Sequence, residues 1–222
     1  MSRPPAPLRA AFVQAVTEAW AGGAGALLPA GFFAGAATLV PITFGPEAAT
    51  LAAAAPAVLW IALALASLVT MERLFQADLE DGALDLWAMD DAPLSQIAAA
   101  KTLAHWLVSG LPLVVLAPFL GLILGMDAAD LPKSAVAYGL GGLAFFFWGS
   151  FGASLAAGVR RGGLLIALIA LPFYIPTAIF GALTVVSPTV LSPEAYLLAA
   201  STLFAIAIAP FGMGAALKLG VS

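Results

Sequence analysis

The sequence predicts an all-α integral membrane protein with six transmembrane helices, an N-terminal interfacial helix and one long polar loop that contains a further short helix. Apolar residues make up 63% of the chain and charged residues 9%, and the mean hydropathy is +1.06. A soluble domain carries about 25% charged residues and needs a polar surface. Lipid is therefore the solvent that suits this chain.

Six apolar runs are each long enough to cross a bilayer, since a helix needs about 20 apolar residues to span a hydrocarbon core about 30 Å thick. Helices are expected rather than barrel strands, because polar and apolar residues do not alternate within the runs. No polar linker divides the chain, so residues 1–222 are predicted to form one transmembrane domain. The predicted spans are 24–43, 51–71, 103–125, 134–158, 163–186 and 195–216.

The segment before the first span, residues 8–20, is predicted to be a helix that lies along the membrane surface. Its apolar side chains share one helical face and its polar side chains share the other. The alternative is a frayed tail. The two faces comprise Leu8, Phe12, Ala15, Val16 and Ala19 on one side and Gln14, Thr17 and Glu18 on the other.

Residues 72–101 form the longest polar interval, and they lie between the second and third predicted spans. Their pattern predicts a short amphipathic helix, which would either dock into a groove of a soluble partner or lie solvated on the bilayer. An acidic face disfavours anionic lipid. The predicted apolar face comprises Leu79, Ala83, Leu86 and Trp87, and the acidic face Asp78, Asp81 and Asp85.

The lysine and arginine residues predict that both termini are cytoplasmic. Six spans return the chain to its starting side, so successive loops alternate between the two sides of the membrane. Lys133 then lies on one side and every other cation on the opposite side, which is the side that positive residues mark as cytoplasmic. The cytoplasmic set is Arg3, Arg9, Arg73, Lys101, Arg160, Arg161 and Lys218.

The sequence carries no motif for catalysis or nucleotide hydrolysis. It lacks a phosphate-binding G-x-x-x-x-G-K-[ST] loop and an HExxH zinc motif. It has no cysteine, which excludes disulfides, thiolate metal sites and thioether attachment of heme. The spans hold almost no ionisable residues, which disfavours an ion-coupled carrier, and a net charge of −4 disfavours nucleic acid. Energy for any transport would have to come from outside the membrane domain.

His105 is the only histidine, near the inner end of the third predicted span. A neutral imidazole could ligate a metal or heme iron, although such a residue more often hydrogen-bonds a neighbouring helix. Trp106 and Pro112, on the same span, are further candidates for contact with heme or with a transport pathway. The proline favours a kink, for which a simple packing bend is the ordinary interpretation. No metal site is predicted.

Several short motifs, in order along most of the chain, resemble the heme exporter protein B (CcmB) family, the membrane subunit of the cytochrome c maturation ABC transporter. Each motif alone is weak, but the ordered set is specific. The matching segments are Ile42–Glu47, Glu72–Phe75, Asp78-Leu79, Asp81-Gly82, Lys101 with Ala104–Trp106, Gly110–Leu113, Leu124–Asp127 and Arg161–Gly163.

The resemblance implies an ABC-2-type exporter-like permease in the bacterial inner membrane, which does not itself hydrolyse ATP. The family pairs as a homodimer with a cytoplasmic ATPase, CcmA, and associates with CcmC, CcmD and the heme chaperone CcmE. Its assigned role is heme export for c-type cytochrome assembly, whereas a competing view holds that ATP hydrolysis releases the heme-loaded chaperone. Heme would be cargo, and ATP would bind the partner subunit.

The resemblance also assigns the 72–101 loop as the helix that meets the ATPase. Glu72, Arg73, Asp78, Asp81 and Gly82 would form or brace that contact, with Leu79, Leu86 and Trp87 as its apolar part. A non-transporting scaffold for the maturation complex is the alternative to a permease. An intramembrane heme or redox protein is a third hypothesis and depends on His105.

Overall fold

The computed structural model describes residues 7–21, 27–45, 47–159 and 162–221, and within these ranges the chain is helical and forms no strand. The helices are α1 (Pro7–Ala21), α2 (Leu27–Phe44), α3 (Ala48–Val69), α4 (Gln76–Glu80), α5 (Ala83–Ala88), α6 (Leu94–His105), a π-helix (Trp106–Gly110), α7 (Leu111–Ile123), a 3-10 turn (Ala128–Asp130), α8 (Leu131–Ala156), α9 (Gly163–Val186) and α10 (Pro193–Val221).

Five helical segments are long and apolar enough to cross a membrane, so the prediction of an all-α, multi-pass membrane protein is confirmed. The first predicted span is represented by α2, whose apolar stretch Leu27–Thr43 is shorter than the others. The five long segments are Ala49–Val69, Leu94–Ile123, Ala128–Ala156, Gly163–Val186 and Pro193–Gly220.

The central helix is α8, which packs against α3, α7, α9 and α10. It belongs to the most buried of the five membrane-length segments, in which 72% of the 18-residue apolar stretch lies inside the protein. Glycines allow its neighbours to come close. The indole of Trp60 on α3 lies against Gly141 of α8 and Gly181 of α9, where a Cβ at either glycine would collide with the ring. Small residues at such crossings permit the close backbone approach that holds membrane helices together.

Hydrogen bonds between residues at or near helix ends show which of these ends lie on the same face of the bundle. Gln76 Oε1 accepts the Gly158 N–H at 2.8 Å, which joins the segment after α3 to the segment after α8. At the other end, Lys133 Nζ donates to the Ser187 carbonyl. We call these ends the α4–α5 face and the Lys133 face. The two faces lie at opposite ends of the helices, as the predicted alternation of loops requires. Three residues of the predicted cytoplasmic set, Arg3, Arg160 and Arg161, lie outside the described residues.

The boundary predicted at the end of the polar loop is wrong, because residues 94–101 belong to a membrane-length helix. This helix runs from Leu94 to Ile123 with the π-helix inside it. Its start follows Pro93, which has an extended backbone, and one face of its first turns is buried. Lys101 suggested a loop, but its charge is neutralised within the protein. Pro112 is the second residue after the π-helix, and its missing N–H cannot serve a regular α-helical bond there.

The single amphipathic helix predicted within the loop is also wrong. Two short helices, α4 and α5, are separated by Gly82, whose φ of 73° lies in the left-handed region that glycine adopts readily. The predicted faces do not hold: Asp78 of the acidic face is 1% exposed, whereas Leu86 of the apolar face is 70% exposed. The break at Gly82 changes the register between the two halves, and the partner that allows Asp78 to be buried lies on α6.

The predicted helix at 8–20 exists as α1, and it packs along α6. Ala11 and Ala15 are buried, while Leu8 and Val13 are exposed. The exposed apolar residues are compatible with a membrane surface. Glu18, predicted on the polar face, is exposed and also pairs with Lys101 of α6. The helix is therefore attached to the bundle by both apolar packing and a charge.

Candidate functional site

Lys101 is the centre of a cluster of charged residues at the α4–α5 face. Its side chain is fully buried and its Nζ lies 2.5 Å from a carboxylate oxygen of Asp78, which is buried as well. The Glu18 carboxylate lies 3.4 Å from the same nitrogen. Nζ also lies 4.7 Å from the ring centroid of Trp87, within cation–π range. One lysine of α6 thus contacts α1, α4 and α5.

Burial raises the pKa of Asp78 to about 6, against the lowering effect of its ion pair and hydrogen bond with Lys101. The neighbouring carboxylates of Glu18 and Asp81 add to the rise. The carboxyl is therefore ionised at neutral pH, although its proton affinity is far above that of a free aspartate. Two carboxylates share one ammonium, and the indole face provides further stabilisation of the cation.

His105 lies one helical turn beyond Lys101 and faces the interior of the bundle. Its Nε2 is 2.9 Å from Thr70 Oγ1, just past the end of α3. Its ring is 5.5 Å from that of Phe146 on α8. The histidine thus hydrogen-bonds a neighbouring element, as the alternative to the ligand hypothesis predicted. Thr70 and His105 also line a cavity of about 360 Å³ with Glu18 and Arg73.

Glu72 and Arg73, both predicted docking residues, are exposed and line a cavity of about 510 Å³ between the loop and the start of α9. Glu72 Oε1 also accepts the Gly163 N–H at 3.4 Å. Gln76 and Glu80 line the same cavity, with apolar Ala156 and Ile166 beneath them. The result is a concave surface with mixed charge and an apolar floor.

The remaining predicted docking residues divide into exposed and packed groups. Asp81 and Leu86 are exposed, whereas Leu79 and Trp87 are half-buried. The Leu79 side chain reaches the turn at Gly158, and the Trp87 ring is held over Lys101. Trp87 and Leu79 therefore fix the loop to the bundle, while Leu86 and Asp81 are available to a partner.

Trp106 and Pro112 are not brought together with His105 into one site. Pro112 lines a shallow apolar groove with Leu107 and Leu111, and the Trp106 ring packs beside Gly110. Among the residues with described positions, no group of three His, Cys, Asp or Glu side chains is placed to hold a metal ion.

The sequence analysis did not predict that Lys101 pairs with Asp78, or that Glu18 joins the same cluster. The sequence placed Lys101 among the cytoplasmic cations and in a family motif, and it placed Glu18 on a polar face. A signal existed, since Lys101 lies one turn before His105 at the start of an apolar run. A lone cation there needs a buried partner, but its identity could not be deduced from spacing.

The family model described as "CcmB protein" matches residues 11–220, which is nearly the whole chain. The chain belongs to the heme exporter protein B (CcmB) family. It is 43% identical over 203 residues to heme exporter protein B of Bradyrhizobium diazoefficiens, covering 90% of this chain and 91% of that protein. The corresponding protein of Paracoccus denitrificans is 44% identical over 180 residues, with 80% and 83% covered.

A more distant CcmB-family relative shows the same extent of match. Heme exporter protein B of Escherichia coli K12 is 37% identical over 180 residues, which cover 80% of this chain and 82% of that protein. The resemblance inferred from short motifs is thus confirmed across the chain. The match begins at Ala11, so it includes most of α1 as well as the charged cluster on α6.

Proposed function

We propose that this chain is the permease subunit of a heme-export ABC transporter, driven by a separate ATPase that docks on the α4–α5 face. The observation that carries the proposal is the arrangement of this loop. Exposed Leu86 and Asp81 are presented by a loop whose other side is anchored through a buried ion pair and a half-buried tryptophan. A rigid, partly apolar projection is suited to insertion into a groove of a soluble protein.

The proposed topology has six spans with both termini in the cytoplasm. Glu18 of α1 contacts Lys101 at the α4–α5 face. Helix α3 ends on that same face, so its first residue, Ala48, lies at the opposite side of the bundle. The chain must cross the bundle between these points, and α2 is the helix that connects them. Its 18 residues give a length of about 27 Å, close to a hydrocarbon core of about 30 Å.

The orientation rests on the positive-inside rule. Arg9, Arg73, Lys101 and Lys218 lie at the α4–α5 end and Lys133 at the other, which supports a cytoplasmic α4–α5 face in a bacterial inner membrane. The partners of this single transmembrane domain would be a CcmA-like ATPase, CcmC-, CcmD- and CcmE-like proteins, and a second copy of the chain.

The transported group is proposed from the names of the relatives, which are heme exporter proteins. The cavity beside His105 contains one cation, Arg73, which could attract a heme propionate, but it also contains the acidic Glu18. The site therefore supports ATP-driven release of a heme-loaded chaperone as well as heme passage itself. Both use the same ATPase contact, and both differ from a scaffold in requiring ATP hydrolysis.

The ATPase contact can be tested with Leu86→Glu, because Leu86 is 70% exposed and its substitution leaves the buried cluster intact. The matched control is Val190→Glu, in a loop on the Lys133 face with an exposure of 68%. Co-purification with the co-expressed ATPase is expected to fall at least tenfold for Leu86→Glu and to stay unchanged for Val190→Glu. Equal recovery of the ATPase with both variants would refute the docking assignment.

A second measurement separates the permease from the scaffold. Cells would express the wild-type chain with an ATPase whose catalytic residue for hydrolysis is inactivated, and covalently bound heme in c-type cytochromes would be quantified. A permease or chaperone-release machine predicts loss of these cytochromes although the complex still assembles. Normal cytochrome levels with the inactive ATPase would instead establish a scaffold.

A further inference from the structure

Lys101 and Asp78 are the buried charged residues in the described part of the chain, and both are at most 1% exposed. Their contact joins positions 23 residues apart in sequence, and the contact between Lys101 and Glu18 spans 83 residues. One nitrogen atom on α6 thereby contacts α1, α4 and α5, in addition to the packing of α1 on α6 and of α4 on α5.

Stability alone does not account for such a cluster. Burying an ion pair costs desolvation energy, and replacing the pair by apolar residues of similar size is often neutral or stabilising. Apolar contacts, however, tolerate sliding, whereas an ammonium held by two carboxylates and an indole face fixes both distance and direction. The cluster is thus suited to keep elements in register while one of them is displaced.

The connection continues from the cluster into the membrane. One turn after Lys101 on α6, His105 is bonded to Thr70 at the end of α3. The same helix then enters the π-helix and α7. A displacement of α4 would therefore move two membrane helices. It would act on α3 through the short segment that joins α3 to α4, and on α6 through the ion pair of Asp78 with Lys101.

We propose that Lys101 is a positioning residue that locks α1, α4, α5 and α6 into one rigid unit, through which movement of the docking loop reaches the membrane helices. The inference rests on the proposed function in so far as an ATPase supplies the movement. It also assigns α1 a role: the surface helix moves with the docking loop as part of the unit and is not a passive anchor.

The rigidity can be measured on the chain itself, which has no natural cysteine. Spin labels would be attached to cysteines introduced at Val13 and Leu86, which are 50% and 70% exposed. The variant Asp78→Leu/Lys101→Met replaces the ion pair by an apolar pair of similar size. The matched control is Asp130→Leu/Lys133→Met, which removes the 3.0 Å ion pair of the Lys133 face.

The rigid unit predicts a narrow distribution of label distances for the wild-type chain and for the control. The apolar variant is expected to widen the distribution at least twofold with its thermal midpoint in detergent retained. A distribution as narrow as that of the wild-type chain would overturn the proposal. Should the apolar variant fail to fold, Asp78→Asn/Lys101→Gln offers an uncharged polar replacement with the same two outcomes.

A second arm uses the complex with the ATPase and is carried out without spin labels. Covalent heme in c-type cytochromes, divided by the ATP hydrolysed in complexes that contain the ATPase, is expected to fall at least tenfold for Asp78→Leu/Lys101→Met. Lys101→Arg, which retains the charge, is expected to preserve the ratio. Unchanged yield in the apolar variant would refute the positioning role. A wild-type chain that binds no ATPase would refute the proposed function, while the label distances would still decide whether the unit is rigid.

Discussion

Substitution of Gly214 by alanine should separate α10 from the start of α6. A Cβ at Gly214 would lie 2.8 Å from the backbone nitrogen of Ser95 and 2.9 Å from its Cα, whereas ordinary contacts begin at 3.4 Å. The backbone of Ser95 cannot turn aside as a side chain can, so the helices must move apart by about the missing 0.6 Å, the difference between 3.4 and 2.8 Å. Overpacking of this kind costs about 1–3 kcal/mol.

The matched control is Gly220→Ala on the same helix, since a Cβ there meets nothing within 4 Å. Alanine is a better helix former than glycine by about 1 kcal/mol in a helix interior, a gain that opposes the clash at Gly214 and is smaller at Gly220, one residue before the end of α10. We expect the thermal midpoint of the purified chain in detergent to fall for Gly214→Ala relative to Gly220→Ala. Equal midpoints, or a higher midpoint for Gly214→Ala, would show that the close α6–α10 approach is not a constraint.

Three further outcomes are expected. The thermal midpoint of the wild-type chain minus that of Asp78→Asn should rise as pH falls from about 7.5 to about 5. The pKa of the Asp78 carboxyl is raised to about 6 in the folded chain and is 3.8 in the unfolded chain, so in this range the folded chain binds the extra proton and is stabilised. A midpoint difference that falls or stays flat would contradict the assigned burial. Gly82→Ala should lower stability by about 1 kcal/mol through the left-handed backbone alone, since a Cβ there meets nothing within 4 Å, and chemical unfolding would detect it. Thr70→Val should cost about 1 kcal/mol by removing the hydrogen bond to His105, and His105→Ala in the Thr70→Val background should then cost less than in the wild type.

The membrane helices could be predicted from sequence because the requirement for apolar surface in lipid acts on every residue of a span. The runs at 134–158 and 163–186 correspond closely to α8 and α9. The end of the polar loop could not be placed, because Lys101 is an exception to that rule. Its charge is tolerated inside a membrane-length helix only because Asp78 and Glu18 are brought to it by the fold.

The site was predicted as a region but not as an arrangement of residues. The interval that begins at Glu72 lies outside the membrane-length helices as far as Pro93, and three of the family motifs, Glu72–Phe75, Asp78-Leu79 and Asp81-Gly82, lie within it. The helical-wheel faces failed because a wheel assumes an unbroken helix, whereas Gly82 adopts a left-handed conformation. A wheel also cannot represent tertiary partners, so the one aspartate that is buried was assigned to the solvated face.

The π-helix at Trp106–Gly110 changes the angular relationship between the two halves of the longest membrane-length helix. In a regular α-helix, residues seven apart, such as His105 and Pro112, would be stacked on the same side, because seven steps of about 100° nearly complete two turns. The widened turn holds one residue more and offsets the second half by roughly one such step. The imidazole can thus point to the centre of the bundle while the pyrrolidine ring lines the outer groove.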